Sequence, residues 1–369
     1  MVTVKAVGQA LKRAGAATDV AAVLARLRGL AAAPAAADES GLAVLVEALG
    51  LDDDDDAFRA TLGDFVATLR AGYTGEMTAT SHKVRVIALR DALKTAALDG
   101  FIIPRNDEHQ GEYVPIRAER LAWLTGFSGS AGVAIVLLEK AAIFVDGRYT
   151  LQLRNQADSR IFEFRHLIDE PAADWLAENA PKGGRIGFDA WLHTPEAVER
   201  LEKACAARRI TLHPVDTNPV DEIWHHQPPP PLAPALVQDD SLAGETTRAK
   251  RRRIGKAIAA RGADAVVITL PDSIAWLLNI RGGDVPRTPF PLSFLTLTSD
   301  GGTRLFIDSR KLAGAVREHL EEAAEICSPD EFPAALQALR AQGTTVLLDR
   351  ATVPGAVVQA LGGEGQDHF

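Results

Sequence analysis

Cysteine is nearly absent from this 369-residue chain, which holds only Cys205 and Cys327. Two thiols build neither a disulfide scaffold nor a cysteine-rich zinc site, and they suit a reducing compartment. Aromatic residues are few, at 6%. Long hydrophobic runs are missing too: nothing reaches the roughly 18 apolar residues that span a membrane. The segment from Met1 to Asp19 is interrupted by Lys5, Lys12 and Arg13 and so lacks the apolar centre of a signal peptide. Cytoplasmic localisation without membrane association is expected. Basic charge is also in deficit. The formal charge is −9, and phosphate backbones demand clustered Lys and Arg, so nucleic acid is not an expected partner. The one basic run, Lys250 to Arg253, reads as the solvated face of a helix. What remains is ordinary for a globular protein: 47% hydrophobic and 24% charged residues.

The chain changes character near residue 80. Residues 1–80 are rich in Ala and Leu at helical spacing, as in Val20, Val23, Leu24, Leu27 and Leu30. Ala31 to Ala37, with Pro34, reads as a loose connector, and Leu42 to Leu49 and Phe58 to Tyr73 as further helices. The acidic run Asp52 to Asp56 sits between them and favours the positive end of the next helix. From there helices and strands alternate. Val84 to Ala97 has helical periodicity, with Gly100 as its stop. Phe101-Ile102-Ile103, Ala131 to Leu138, Ala141 to Val145 and Ile186-Gly187-Phe188 read as buried strands. Arg148 to Gln156 and Pro195 to Ala207 read as helices. This alternation predicts an α/β fold, with a mixed sheet flanked by helices. Pro228 to Pro231 with Pro234 predicts a stiff extended spacer, because consecutive prolines fit neither a helix interior nor a central strand.

Beyond the spacer the first domain is echoed in order. Leu98-Asp99-Gly100-Phe101-Ile102-Ile103 returns as Ala263-Asp264-Ala265-Val266-Val267-Ile268. Arg120-Leu121-Ala122-Trp123-Leu124 returns as Ser273-Ile274-Ala275-Trp276-Leu277, and Ile143-Phe144-Val145-Asp146-Gly147-Arg148 as Leu305-Phe306-Ile307-Asp308-Ser309-Arg310. Two copies of one α/β domain are expected, at about 82–227 and 232–361, with Trp123 and Trp276 as equivalent core anchors.

Several motifs carry a resemblance. Pro104-Arg105-Asn106-Asp107-Glu108-His109-Gln110-Gly111-Glu112-Tyr113 is followed by Arg120 to Gly132 and by Phe144-Val145-Asp146-Gly147-Arg148-Tyr149-Thr150-Leu151-Gln152. In the second copy stand Pro271 to Gly282 and Asp284-Val285-Pro286. Over about residues 82 to 360 the chain resembles the Xaa-Pro aminopeptidases of the creatinase, or pita-bread, metallopeptidase superfamily. The resemblance implies two related creatinase-type N-terminal α/β domains ahead of a catalytic domain. That domain holds two divalent metals, typically manganese, through two Asp, one His and two Glu, and removes an N-terminal residue preceding proline. This chain shows no matching ligand set. The expectation is therefore a truncated, inactive form, with 1–80 as a helical extension of unknown role and 362–369 as a tail outside the family. Eight of the nine histidines fall in the two α/β domains, and the ninth, His368, lies in that tail. No catalytic or metal-ligating residue and no cofactor is assigned to the chain itself. The competing reading is a non-catalytic binding or dimerisation fragment that associates with a full-length relative.

The residues singled out for substrate contact are Arg148, His109 and Asp107. Arg148 follows Asp146-Gly147 at a strand end, and the resemblance brings that loop to the catalytic cleft of a neighbouring domain or subunit. Its guanidinium would fork onto a peptide carboxylate or carbonyl, or else pair with Asp146 or Glu119. Asp107, Glu108, His109 and Glu112 look like a metal cluster, but Pro104 and Pro115 bracket them in a loop, so they read as a hydrogen-bonded loop at the mouth of the site. Ser128-Gly129-Ser130-Ala131-Gly132 approaches a nucleophile elbow but has Ser128 at its first glycine position, and it reads as a tight loop. His225-His226 reads as a solvated pair. Expected partners are peptides with proline in second place and a further copy of the chain.

Overall fold

The computed structural model describes residues 2–16, 18–51, 56–79 and 81–363. Asp52 to Asp55 of the acidic run, and the tail from Glu364 onward with His368, lie outside the described residues. Four helices open the chain: α1 (Val4–Arg13), α2 (Val20–Ala32), α3 (Asp38–Ala48) and α4 (Asp56–Ala79). Their apolar stripes share one core built around Leu27, Leu62 and Val66. The connector after α2 is not loose. Pro34 leads into a 3-10 turn at Ala35–Ala37, and Arg70 of α4 bonds Asp38 and the carbonyls of Leu30 and Ala33. Those carbonyls are left over at the end of α2, and a guanidinium is a fitting cap for them.

The first α/β domain begins with α5 (His82–Thr95) and β1 (Gly100–Pro104). It continues through α6 (Arg120–Thr125), β2 (Gly132–Leu137), β3 (Ala141–Val145), α7 (Thr150–Gln156), β4 (Glu163–His166), α8 (Ala172–Asn179), β5 (Arg185–Phe188), α9 (Pro195–Cys205), β6 (Thr211–Pro214) and α10 (Pro219–Ile223). The sheet order is β4-β3-β2-β1-β5-β6. The pair β1–β2 and the hairpin β2–β3 are antiparallel, and β3–β4, β1–β5 and β5–β6 are parallel. Gly100 is not the helix stop. Ala97 takes the left-handed conformation that ends α5, at φ +53°. Gly100 is the first residue of β1, where a Cβ would stand 2.5 Å from Leu137 Cδ2 and 3.0 Å from Val136 O.

The second domain contains β7 (Leu236–Val237), α11 (Asp240–Ala243), α12 (Thr247–Ala260), β8 (Ala265–Ile268), α13 (Pro271–Leu278), β9 (Ile280–Arg281), β10 (Phe294–Thr298), β11 (Thr303–Phe306), α14 (Gly314–Glu321), β12 (Glu325–Cys327), α15 (Phe332–Ala341), β13 (Val346–Leu347) and α16 (Gly355–Leu361). Its main sheet runs β12-β11-β10-β8-β13. The antiparallel pairs are β8–β10 and β10–β11, and the parallel pairs are β11–β12 and β8–β13. Strand for strand this is the first domain without a counterpart of β6. The two tryptophans fall on the matching helices α6 and α13.

The equivalence of position is not an equivalence of burial. Trp123 is buried and stacks on Trp224 at 5.0 Å, whereas Trp276 is 44% exposed and is no core anchor. In the second domain no tryptophan takes the place of Trp224, and the Trp276 ring is met instead by the cations of Lys250 at 4.5 Å and Arg253 at 5.6 Å. Lys250 is likewise not solvated: it is 1% exposed, and Nζ donates to Trp276 O and Asn279 Oδ1. The spacer is extended but enclosed. Leu232 N donates to Gly29 O, Ala233 N to Asp284 Oδ1 and Ala235 N to Lys311 O. The helical bundle grips it from one side and the second domain from the other.

Candidate functional site

The loop after β1 is shaped by Asp107. Its Oδ1 accepts from His109 N and Gly111 N at 3.0 and 3.2 Å, the short-range bonding that lets Asp hold a turn. Asp107 is 1% exposed. Burial pushes its carboxyl up, and the neighbouring Glu108 adds to the rise. His109 is buried as well. Its Nδ1 meets Thr269 O at 3.0 Å, and its ring stacks on Phe294 at 4.5 Å. Thr269 and Phe294 belong to the second domain, so His109 is a clasp between domains. Trp191, from the loop after β5, packs into the same group against Phe294 and Phe332. His109 and Glu108 line a cleft of about 700 Å³ between the domains, with Arg117 and Arg120 on its wall. Arg120 forks onto Asp221 at 2.7 and 2.8 Å.

Arg148 lies elsewhere, at the end of β3. It pairs with Asp146, through Nη2 to Oδ2 at 2.7 Å and Nε to Oδ1 and Oδ2. Glu119 is not its partner; that carboxylate takes Arg105 at 3.2 Å. The fork holds the Asp146 carboxyl below its ordinary range and raises Arg148 further. The same hook recurs at Asp308–Arg310 in the second domain, so the third sequence echo is an echo of geometry. Arg148 keeps 66% of its side chain exposed. It lines a cavity of about 610 Å³ in the first domain, next to Asn106, Gln110, Glu112 and Ser130. Of the three singled-out residues, only Arg148 therefore presents a charged group to solvent, and the structure does not bring it together with Asp107 and His109.

Ser130 shows no catalytic pairing with a histidine. Its Oγ bonds Tyr149 Oη at 2.8 Å and Glu112 Oε1 at 3.2 Å. At Gly129 a Cβ would lie 2.3 Å from the Phe127 ring, so the glycine serves close packing. Sequence reasoning passed over His193. It is 5% exposed and lines the Arg148 cavity, and burial holds its imidazole below the ordinary histidine range. The only sequence signal was a polar residue just ahead of the Thr194-Pro195 helix start.

Among the described residues, no three His, Cys, Asp or Glu side chains come together in a way that could hold a metal ion. They do not fit the two-manganese centre that the resemblance implies, and no catalytic step through a metal follows from them. No helix among the described residues is long and apolar enough to cross a membrane.

Two successive α/β domains of one topology, each with an Asp-x-Arg hook at the end of its third strand, define a tandem of related modules. The description "Creatinase/Prolidase N-terminal domain" matches twice, at residues 85–223 and 226–368. The chain belongs to that family. It is 35% identical over 268 residues to Aminopeptidase P2 of Arabidopsis thaliana, covering 71% of this chain and 37% of the relative. It is 32% identical over 250 residues to Xaa-Pro aminopeptidase 2 of Homo sapiens, covering 67% and 37%. The solved X-prolyl aminopeptidase of Caenorhabditis elegans, described as a cytosolic enzyme with a di-nuclear active site, aligns with a TM-score of 0.70 at 30% identity. That alignment covers 77% of this chain and 49% of the other. The chain thus spans less than half the length of these relatives.

Proposed function

We propose that the chain serves the removal of an N-terminal residue preceding proline, in the cytosol, as the part that positions peptide and not the part that holds metal. The observation that carries this reading is the alignment over 77% of the chain to an X-prolyl aminopeptidase. That is more than either α/β domain alone could supply, so the tandem is matched as a unit. The named cytosolic setting of that enzyme supports the compartment. Two-metal hydrolysis needs a cluster that places both ions and lowers the pKa of the water between them. The described residues offer none, so this reading routes no metal step through them. Arg148 is the residue proposed to touch the peptide, since its guanidinium is the exposed cation of the first domain's hook. The purified chain, given manganese and a tripeptide with proline in second place, is expected to release no N-terminal amino acid. Chelator-sensitive release above a metal-free blank would overturn this reading.

A further inference from the structure

The cleft between the two α/β domains, about 700 Å³, is in the range of small-molecule sites, and it holds two charges that do not meet. Its walls are apolar on both sides. Pro115 comes from the first domain, and Leu292, Phe294 and Ile326 come from the second. Most of the charged groups along it are already closed into pairs. Arg120 forks onto Asp221, Arg310 forks onto Asp308, and Lys311 holds Asp284. Asp330 is exposed, where water and salt spread its charge.

Glu108 and Arg117 remain. Both line the cleft and both are half-buried. Each feels the charge of the other, yet the two form no ion pair. Among the described residues the Glu108 carboxylate takes no hydrogen bond, and its oxygens are not sealed from the cleft. Burial works against its charge, while His109, Arg120 and Arg117 work for it and hold the carboxyl below its ordinary range. Arg117 gives Nη1 to Pro228 O and keeps its other N–H groups unspent. The loop under Glu108 is fixed in advance. Asp107 holds the backbone of His109 and Gly111, and Thr269 O meets the His109 ring. A carboxylate only accepts and a guanidinium only donates, and away from bulk water both act more strongly. The molecule that satisfies both carries an ammonium and a carboxylate of its own.

We propose that this cleft binds the zwitterion of an apolar amino acid or short peptide, with its ammonium on Glu108, its carboxylate on Arg117 and its side chain against Leu292 and Phe294. The proposal concerns binding alone and does not depend on the hydrolytic reading. Leucine carries all three elements, N-acetyl-leucine lacks the ammonium, and leucinamide lacks the carboxylate. By titration calorimetry on the whole chain, leucine is expected to bind about tenfold tighter than either, the usual worth of a hydrogen bond to a charged group. Glu108→Gln keeps the shape and breaks no hydrogen bond, so it should fold and erase the preference over N-acetyl-leucine. Arg117→Lys can still donate to Pro228 O but loses the fork, and it should narrow the preference over leucinamide. Asp330→Asn should leave both preferences in place. The dipeptide Leu-Leu distinguishes the source: tighter binding than leucine assigns the cleft to peptides, and weaker binding assigns it to free amino acids. Absence of leucine binding at millimolar concentration, equal binding of all three ligands, a preference over N-acetyl-leucine that survives Glu108→Gln, or its loss on Asp330→Asn would overturn the proposal.

Discussion

Ala97 closes α5 with φ at +53°, a conformation that crowds its Cβ against the backbone. The matching turn after α12 uses Gly262 at φ +73°, where there is no Cβ to crowd. The left-handed conformation costs a non-glycine residue roughly 1–2 kcal/mol, and part of that is regained because alanine restricts the unfolded chain more than glycine does. Ala97 is exposed, so no packing is lost on its removal. Ala97→Gly is therefore expected to raise stability by about 0.5–1 kcal/mol. Urea unfolding reads this directly, and an unchanged or lower midpoint would contradict it. The same scale shows why Asp107 and His109 misled the sequence reading. An Asp and a His two apart in a loop between prolines look available for chemistry. The Asp107 carboxylate is taken up by the backbone N–H groups of His109 and Gly111, and the His109 ring by Thr269 O, 160 residues further on, and no local pattern announces a contact at that distance.

The pairing of α12 with α13 depends on one buried cation. Lys250 Nζ reaches Trp276 O at 2.7 Å and Asn279 Oδ1 at 2.6 Å, and sits 4.5 Å from the centroid of the Trp276 ring. Those groups mark the C-terminal end of α13, where a positive charge is favoured. The first domain has the same device: Arg85, fourth residue of α5, donates to Trp123 O and lies over the Trp123 ring. Lys250→Met keeps the stem and removes the donor, leaving a buried carbonyl and amide oxygen short of a partner. A loss of about 2 kcal/mol is expected, read as an earlier urea midpoint; Lys250→Arg should recover part of it, as Arg85 does the equivalent task. At this scale the sequence was legible where strands are buried on both faces. The continuous apolar runs of β1, β2 and β3 announce themselves. The edge strands β4 and β6 did not, because Glu163–His166 and Thr211–Pro214 carry mixed polar side chains and are half-buried or exposed. Nor did the repeat reveal that Trp276 would lie open. That depends on Trp224 from α10's end, for which the second domain has no counterpart.

Across the whole molecule the proline-rich spacer acts as a shared strut, not a free tether. Gln227 and Pro228 are bonded to Arg117 of the first domain, Leu232 to the helical bundle, and Ala233 and Ala235 to the second domain. Asp284 anchors the last of these contacts. It is fully buried, bonds Lys311 Nζ at 2.6 Å, and accepts from Ala233 N and Leu292 N. This accounts for the Asp284-Val285-Pro286 motif. It also draws the end of the apolar loop Pro289 to Leu292 inward: Pro289 is exposed, Phe290 and Leu292 are half-buried, and Pro291 is buried. The contact on the bundle side turns on Gly29 in the middle of α2. A Cβ there would lie 2.3 Å from Leu232 Cδ1 and 2.9 Å from Leu232 Cβ. The second distance matters more, because a Cβ cannot swing away without moving the spacer backbone. In an isolated helix Gly→Ala stabilises by about 1 kcal/mol. Here overpacking costs about 1–3 kcal/mol, so the sign should reverse. Gly29→Ala is expected to lower the thermal midpoint followed by helical ellipticity at 222 nm. Leu232→Ala in the same chain should restore only part of the loss, since it removes the clashing atoms beyond Cβ and leaves the Cβ contact in place. A rise in the midpoint for Gly29→Ala alone would mean that the bundle does not clamp the spacer, and the strut would then belong to the two α/β domains only.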